Sequence, residues 1–155
     1  MKVLIATDGS EYGDAAVLAA AQKQWPPHTE LRVLTVVEPI SNGTELFFDR
    51  APIIPQDIII NQMQDAYQQV AATAAAQLHG EGRDVSYVVR KGDTAEEIVE
   101  EAREWNANLI LVGSHNRQGV VGFLLGSVAQ QVLAHAPCSV QIIPKPDRLV
   151  KKAGS

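Results

Sequence analysis

The sequence predicts a doubly wound α/β domain, a parallel sheet of five strands with helices on both faces. Three observations predict it. Short β-branched runs alternate with segments of helical period, turn residues separate them, and 155 residues at 46% apolar suit one compact domain with one core.

Residues 2–7 (KVLIAT) read as a buried strand leaving through Asp8, Gly9 and Ser10. Ser10 is placed to cap a helix whose stripe is Ala15, Leu18, Ala19 and Trp25, stopped by Pro26 and Pro27. Residues 31–37 (LRVLTVV) form the second strand, closed by Pro39. From about 39 to 61, prolines and Gly43 interrupt every period, so a long irregular connection is expected, either functional or a variable surface loop with Phe47 and Phe48 packed on the sheet. Met63, Tyr67, Val70, Ala71, Ala74 and Leu78 share a helical face ending at Gly80 and Gly82.

Residues 85–90 (VSYVVR) are the third strand. Thr94 with Glu97 carries a capping-box spacing, and Ala95, Ile98, Val99, Ala102 and Trp105 are the buried stripe of the helix it opens. Residues 109–112 (LILV) are the fourth strand, followed by a glycine-punctuated segment, a helix with Ala129, Val132, Leu133 and Ala136 on one face, and a last strand at 139–143. The domain is expected to span 1–145. The polar stretch from Lys145 (KPDRLVKKAGS) reads as frayed, with 146–155 as a C-terminal tail.

Composition excludes several chemistries. Thirteen Lys and Arg against eighteen Asp and Glu give a net charge of −5, the wrong sign for broad phosphate-backbone contact, so no nucleic-acid partner is expected. Cys138 is the only cysteine, which rules out an intrachain disulfide and reads as a small apolar residue at a strand start. The four histidines have no paired metal-ligand spacing. No apolar run approaches the roughly 18 residues of a membrane span, and the N-terminus reaches Asp8 before a signal-peptide pattern is complete, so no membrane association and a cytoplasmic location are expected.

In a doubly wound sheet, ligands bind outside the carboxyl ends of the strands where the strand order reverses. The loops expected there are residues 7–10 and 113–127. In GSHNRQGVVGFLLGSV, the glycines Gly113, Gly119, Gly122 and Gly126 let the backbone turn tightly and approach a ligand closely. Gly126 and Ser127 stand where the next helix begins, so its amides and dipole face the crevice and suit an anion such as phosphate without requiring Lys or Arg. Arg117 adds one full charge. The same residues are also consistent with a plain tight turn and an ordinary helix cap. Asp8 has the alternative reading of a turn carboxylate, while His115 reads as a half-exposed loop histidine and Ser10 as a cap rather than a nucleophile.

The segment resembles the nucleotide loop G-x2-G-x9-G-[ST] of the ATP-binding branch of the universal stress protein family, with Gly113 first, Gly126 last and Ser127 as the hydroxyl residue. VLIATDGS, LRVLTVVEP, KGDTAEEI and APCSVQIIP extend the resemblance over almost the whole chain. Asn116 stands where the motif has its second glycine. Asn tolerates the left-handed region, and its side chain either crowds a phosphate or donates to it.

The resemblance implies a sheet order of 3-2-1-4-5, an adenine nucleotide alpha hydrolase-like fold, and bound ATP or another adenine nucleotide. It implies that Thr7 and Asp8 lie at the ribose or a phosphate-bound ion, and that Val36 contacts adenine. Val112, Gly113, His115 and Asn116 would line the ribose and phosphates, and Gly126, Ser127 and Val128 would hold the phosphates, with Arg117 nearby. Mg2+ or Mn2+ would be bound through phosphate oxygens. It implies a stress-response or signalling protein with slow or no hydrolysis, acting on an unknown protein partner, and a homodimer through the last strand. A dimeric interaction module without nucleotide is the alternative. A weak ATPase or adenylyl or phosphoryl transferase is disfavoured, because no P-loop and no placed base are found.

Overall fold

The computed structural model describes residues 1–39, 56–80, 82–114 and 125–145, and for residues 56, 57 and 60 the backbone alone. The chain runs β1 (Lys2–Ala6), α1 (Glu11–Gln22), β2 (Glu30–Val37), α2 (Gln56–Leu78), β3 (Asp84–Lys91), α3 (Thr94–Trp105), β4 (Leu109–Gly113), α4 (Ser127–His135) and β5 (Ser139–Ile143). The strands form one parallel sheet in the order β3-β2-β1-β4-β5. After β3 the chain returns to the far side of β1, so the order reverses between β1 and β4.

Strand periodicity sorts the apolar residues onto two faces. Val3, Ile5, Leu31, Val33 and Leu111 pack with Ala16, Val17 and Ala20 of α1 and Ala71, Ala74, Ala75 and Leu78 of α2. Leu4, Leu34, Val36, Ile110 and Val112 pack on the other face with Ile98 and Ala102 of α3 and Ala129 and Val132 of α4. Burial of each large aliphatic side chain stabilises the fold by about 1.5–3 kcal/mol, which makes these two layers its main support.

Several boundaries and faces differ from the sequence expectation. Helix α1 ends at Gln22, before the prolines, and Trp25 lies beyond it with Nε1–H donating to the Ala20 carbonyl at 3.0 Å. Its buried residues are Gly13, Ala15, Ala16, Val17 and Ala20, so Ala15 is buried as expected while Leu18 is 49% exposed. The small residues win because this helix lies close over the sheet where β1 and β4 meet. Leu133 of α4 is also exposed, since α4 covers the sheet's last strand and has α3 as its helical neighbour.

The connection after β2 is shorter than expected, because α2 already begins at Gln56. Phe47 and Phe48 lie outside the described residues. Asp93, rather than Thr94, is the N-cap of α3 and accepts from the Glu96 amide at 3.0 Å. Glu97 is drawn instead to Arg90. At the C-terminal end, Lys145 is not frayed: its ammonium pairs with Glu11 and lies 5.7 Å from the Tyr12 ring centroid. Residues 146–155 are outside the described set.

Candidate functional site

The lengths of two neighbouring strands create the site. The β1–β2 pairing ends at Ala6 opposite Leu34, and the Thr7 amide donates a last bond to the Leu34 carbonyl at 3.0 Å. Strand β2 continues to Val37. In a parallel ladder, a residue's N–H and C=O point to the same neighbour and alternate residues share that side. Val37 therefore faces β3, where its carbonyl accepts from Gly92 at 3.0 Å, and Val36 aims both backbone groups past the end of β1. A donor and an acceptor thus face a cleft of about 240 Å³.

The β1–α1 turn forms the cleft's floor. Gly9 adopts φ 81°, a left-handed conformation that glycine takes without strain. The Thr7 hydroxyl oxygen accepts from the Gly9 amide at 3.1 Å, and Asp8 Oδ1 accepts from the Ser10 amide at 2.9 Å. Ser10 in turn accepts from the Gly13 amide at 3.4 Å, so it caps α1 and is no nucleophile in this arrangement. A Cβ at Gly13 would meet Thr7 Oγ1 at 2.3 Å, so the missing side chain lets helix and turn close together. Asp8 is a turn carboxylate through Oδ1 and also lines the cleft.

The far wall is built by β4 and α4. A Cβ at Gly113 would lie 2.4 Å from the Tyr12 carbonyl oxygen, so glycine is required there by close approach. Gly126 is the N-cap of α4 with an ordinary φ of −61° and no side-chain cap, and Ser127 is the first helical residue rather than the cap. The first-turn amides of a helix lack intrahelical acceptors. Ser127 and Val128 line the cleft beside Val112 and Gly113. Thr7, Asp8, Val36, Val112, Gly113, Ser127 and Val128 thus come together, and Gly126 adjoins them. His115, Asn116, Arg117, Gly119 and Gly122 lie outside the described residues.

Sequence reasoning missed part of the lining. Leu34, Tyr67 and Ile98 supply apolar wall, and Tyr12 and Gly13 bring α1 to the mouth. Glu38 and Thr94 supply the unexpected polar contact: Glu38 Oε1 accepts from the Thr94 amide at 3.2 Å and its hydroxyl at 2.6 Å. A carboxylate just past a parallel strand and a hydroxyl opening the next helix were the available signals.

A separate ionic cluster braces α3 on the sheet. Glu101, with a side chain 6% exposed, bridges Arg32 and Arg90 at 2.8 Å each. Arg90 also meets Glu97 at 2.6 Å and Glu104 at 3.0 Å. The Glu97 hydrogen bond above all, against the opposing effect of burial, holds the Arg90 guanidinium well above its usual pKa. Burial likewise pushes the Cys138 thiol up. Among the described residues, no group of three His, Cys, Asp or Glu side chains could hold a metal, and no helix is long and apolar enough to cross a membrane.

Comparison with known proteins decides the family, since a profile described as "Universal stress protein family" matches residues 1–144. The chain belongs to the universal stress protein family. It is similar to universal stress protein YxiE of Bacillus subtilis, 29% identical with 92% of this chain and 97% of the relative covered. It is 30% identical to a universal stress protein of Thermus aquaticus, with 91% and 96% covered.

Among solved structures, the hypothetical protein MJ0577 superposes with a TM-score of 0.75 at 24% identity over 94% of this chain and 96% of that one. A universal stress protein in complex with cAMP gives 0.57 at 22% identity, with 94% and 98% covered. A universal stress protein family protein of Arabidopsis thaliana with AMP bound gives 0.61 at 17% identity, with 94% and 92% covered. These likenesses establish the universal stress protein fold in this chain.

Proposed function

We propose that this universal stress protein belongs to the nucleotide-binding branch and holds an adenine nucleotide, ATP foremost, in the cleft between β2 and α4. One observation carries the reading: the backbone N–H and C=O of Val36 face the cleft beyond the end of β1. Adenine offers a matching acceptor at N1 and donor at N6. The ribose would lie over Thr7 and Asp8, and the phosphates would reach Gly113 and the start of α4 at Gly126, Ser127 and Val128. There, amides and helix dipole favour negative charge without a lysine. His115, Asn116 and Arg117 belong to the same proposed loop. The structures with cAMP and AMP make this ligand class the first to test.

Mg2+ or Mn2+ fits this arrangement only as a passenger of the phosphates. The described residues supply no three-ligand cluster, and Asp8 has Oδ1 engaged by Ser10, so phosphate oxygens and water would provide most of the coordination. When bound, the ion would neutralise phosphate charge. Hydrolysis is proposed to be slow or absent, with occupancy altering the surface offered to a protein partner. Homodimerisation is proposed through β5, an edge strand whose Val140, Ile142 and Ile143 are only half-buried.

Heat denaturation of the purified protein, followed by chromatography of the supernatant, tests the ligand. Released adenine nucleotide, or uptake of added ATP by stripped protein, supports the reading. Neither release nor uptake would leave the dimeric interaction module as the better description, a reading favoured by Asn116 at a glycine position of the motif.

A further inference from the structure

The position of Glu38 carries an inference that rests on the adenine-nucleotide reading and deepens it. Glu38 immediately follows β2 and lines the cleft with Val36. Its Oε1 is held by both donors of Thr94, so the side chain is fixed against the start of α3. Among the described residues, Oε2 takes no hydrogen bond, so this exposed carboxylate at the β2 end of the cleft keeps acceptor capacity. The anion-favouring start of α4 lies beyond β1, on the β4 side. Strands in a sheet are spaced by about 4.8 Å, so roughly 10 Å separates β2 from β4.

We infer that Glu38 is a specificity-determining residue, which orients the nucleotide with its base over β2 and selects a purine carrying a 6-amino group over one carrying a 6-oxo group. A carboxylate at this end repels phosphate and accepts hydrogen bonds only. The N6 amino group of adenine has two hydrogens, one for the Val36 carbonyl and one for Glu38 Oε2. The O6 of hypoxanthine or guanine would instead meet a negative acceptor with no proton to share. Such a mismatch sets two acceptors against each other where adenine would gain a hydrogen bond, and that repulsion at an exposed carboxylate is the basis for discrimination.

The test compares ATP and ITP binding by calorimetry in the full-length protein and in Glu38→Gln. The carboxamide retains an oxygen for Thr94, so α3 keeps its anchor, while its NH2 can donate to O6. Discrimination by the Val36 backbone is common to both proteins and cancels in the double ratio. The expected result is an ATP-over-ITP preference in the parent that falls about tenfold in Glu38→Gln, with an unchanged melting temperature. Both proteins binding ATP with the same preference would overturn the role of Glu38 alone. A parent that binds neither nucleotide would overturn the nucleotide reading itself.

Discussion

The missing side chain at Gly113 and the main chain of Tyr12 determine how closely α1 approaches the end of β4: a Cβ on Gly113 would sit 2.4 Å from the Tyr12 carbonyl oxygen and 2.8 Å from its carbonyl carbon. Because the obstacle is backbone, a rotamer change cannot relieve it. Gly113→Ala is expected to destabilise the protein by about 1–3 kcal/mol, the usual range for overpacking. At this chain length, that corresponds to a fall in Tm of roughly 2–12 °C. A thermal melt equal to that of the parent would show that α1 is free to move away.

The ionic cluster on α3 predicts an asymmetry between partners. Glu101→Ala removes the carboxylate shared by Arg32 and Arg90 and leaves Arg32 without an anionic partner among those described. The two arginine side chains are 27% and 21% exposed, so water softens the loss to about 2–3 kcal/mol. Arg32→Met should cost less than about 1 kcal/mol, because Glu101 keeps Arg90. Urea unfolding of both variants measures the difference, and equal losses would contradict the arrangement.

Helix caps differ in length and should differ in worth. Asp93 accepts from the Glu96 amide at 3.0 Å, whereas Ser10 accepts from the Gly13 amide at 3.4 Å. Asp93→Ala is therefore expected to cost about 1 kcal/mol and Ser10→Ala nearer 0.5 kcal/mol. Denaturant midpoints for the pair would reveal the order, and the reverse order would mean that the longer contact is the stronger.

Burial raises the pKa of the Cys138 thiol, so the reactive thiolate is suppressed in the folded state. Alkylation by iodoacetamide should rise with pH through a midpoint higher in the native protein than in urea-unfolded protein. A native midpoint at or below the unfolded one would mean that the thiol stands in a more polar setting than its packing against α4 and β5 implies.

The sheet and its order were legible because alternating apolar periods and short connections leave few topologies, and the family resemblance selected one of them. What stayed hidden depended on distant partners. Thr94 and Glu97 have the spacing of a capping box, yet Glu97 is claimed by Arg90 from β3 and Thr94 by Glu38 from the end of β2. Local sequence contains neither contact. Leu18 reads as core by hydrophobicity, but the face of α1 turned to the sheet is the one carrying Gly13, Ala16, Val17 and Ala20, and Leu18 falls outside it. Val36 came from resemblance, and its physical basis, a β2 that outruns β1, turns on where two strands stop.

The central claim is that the Val36 backbone and the first turn of α4 bind opposite ends of one adenine nucleotide. Titration of 15N-labelled protein with ATP, followed by amide chemical shifts, tests it most directly. The account predicts saturable shifts at Val36 together with Gly126, Ser127 and Val128, all at one apparent Kd. Unmoved amides at Val36 and in the first turn of α4, at ATP concentrations that shift other residues, would contradict it.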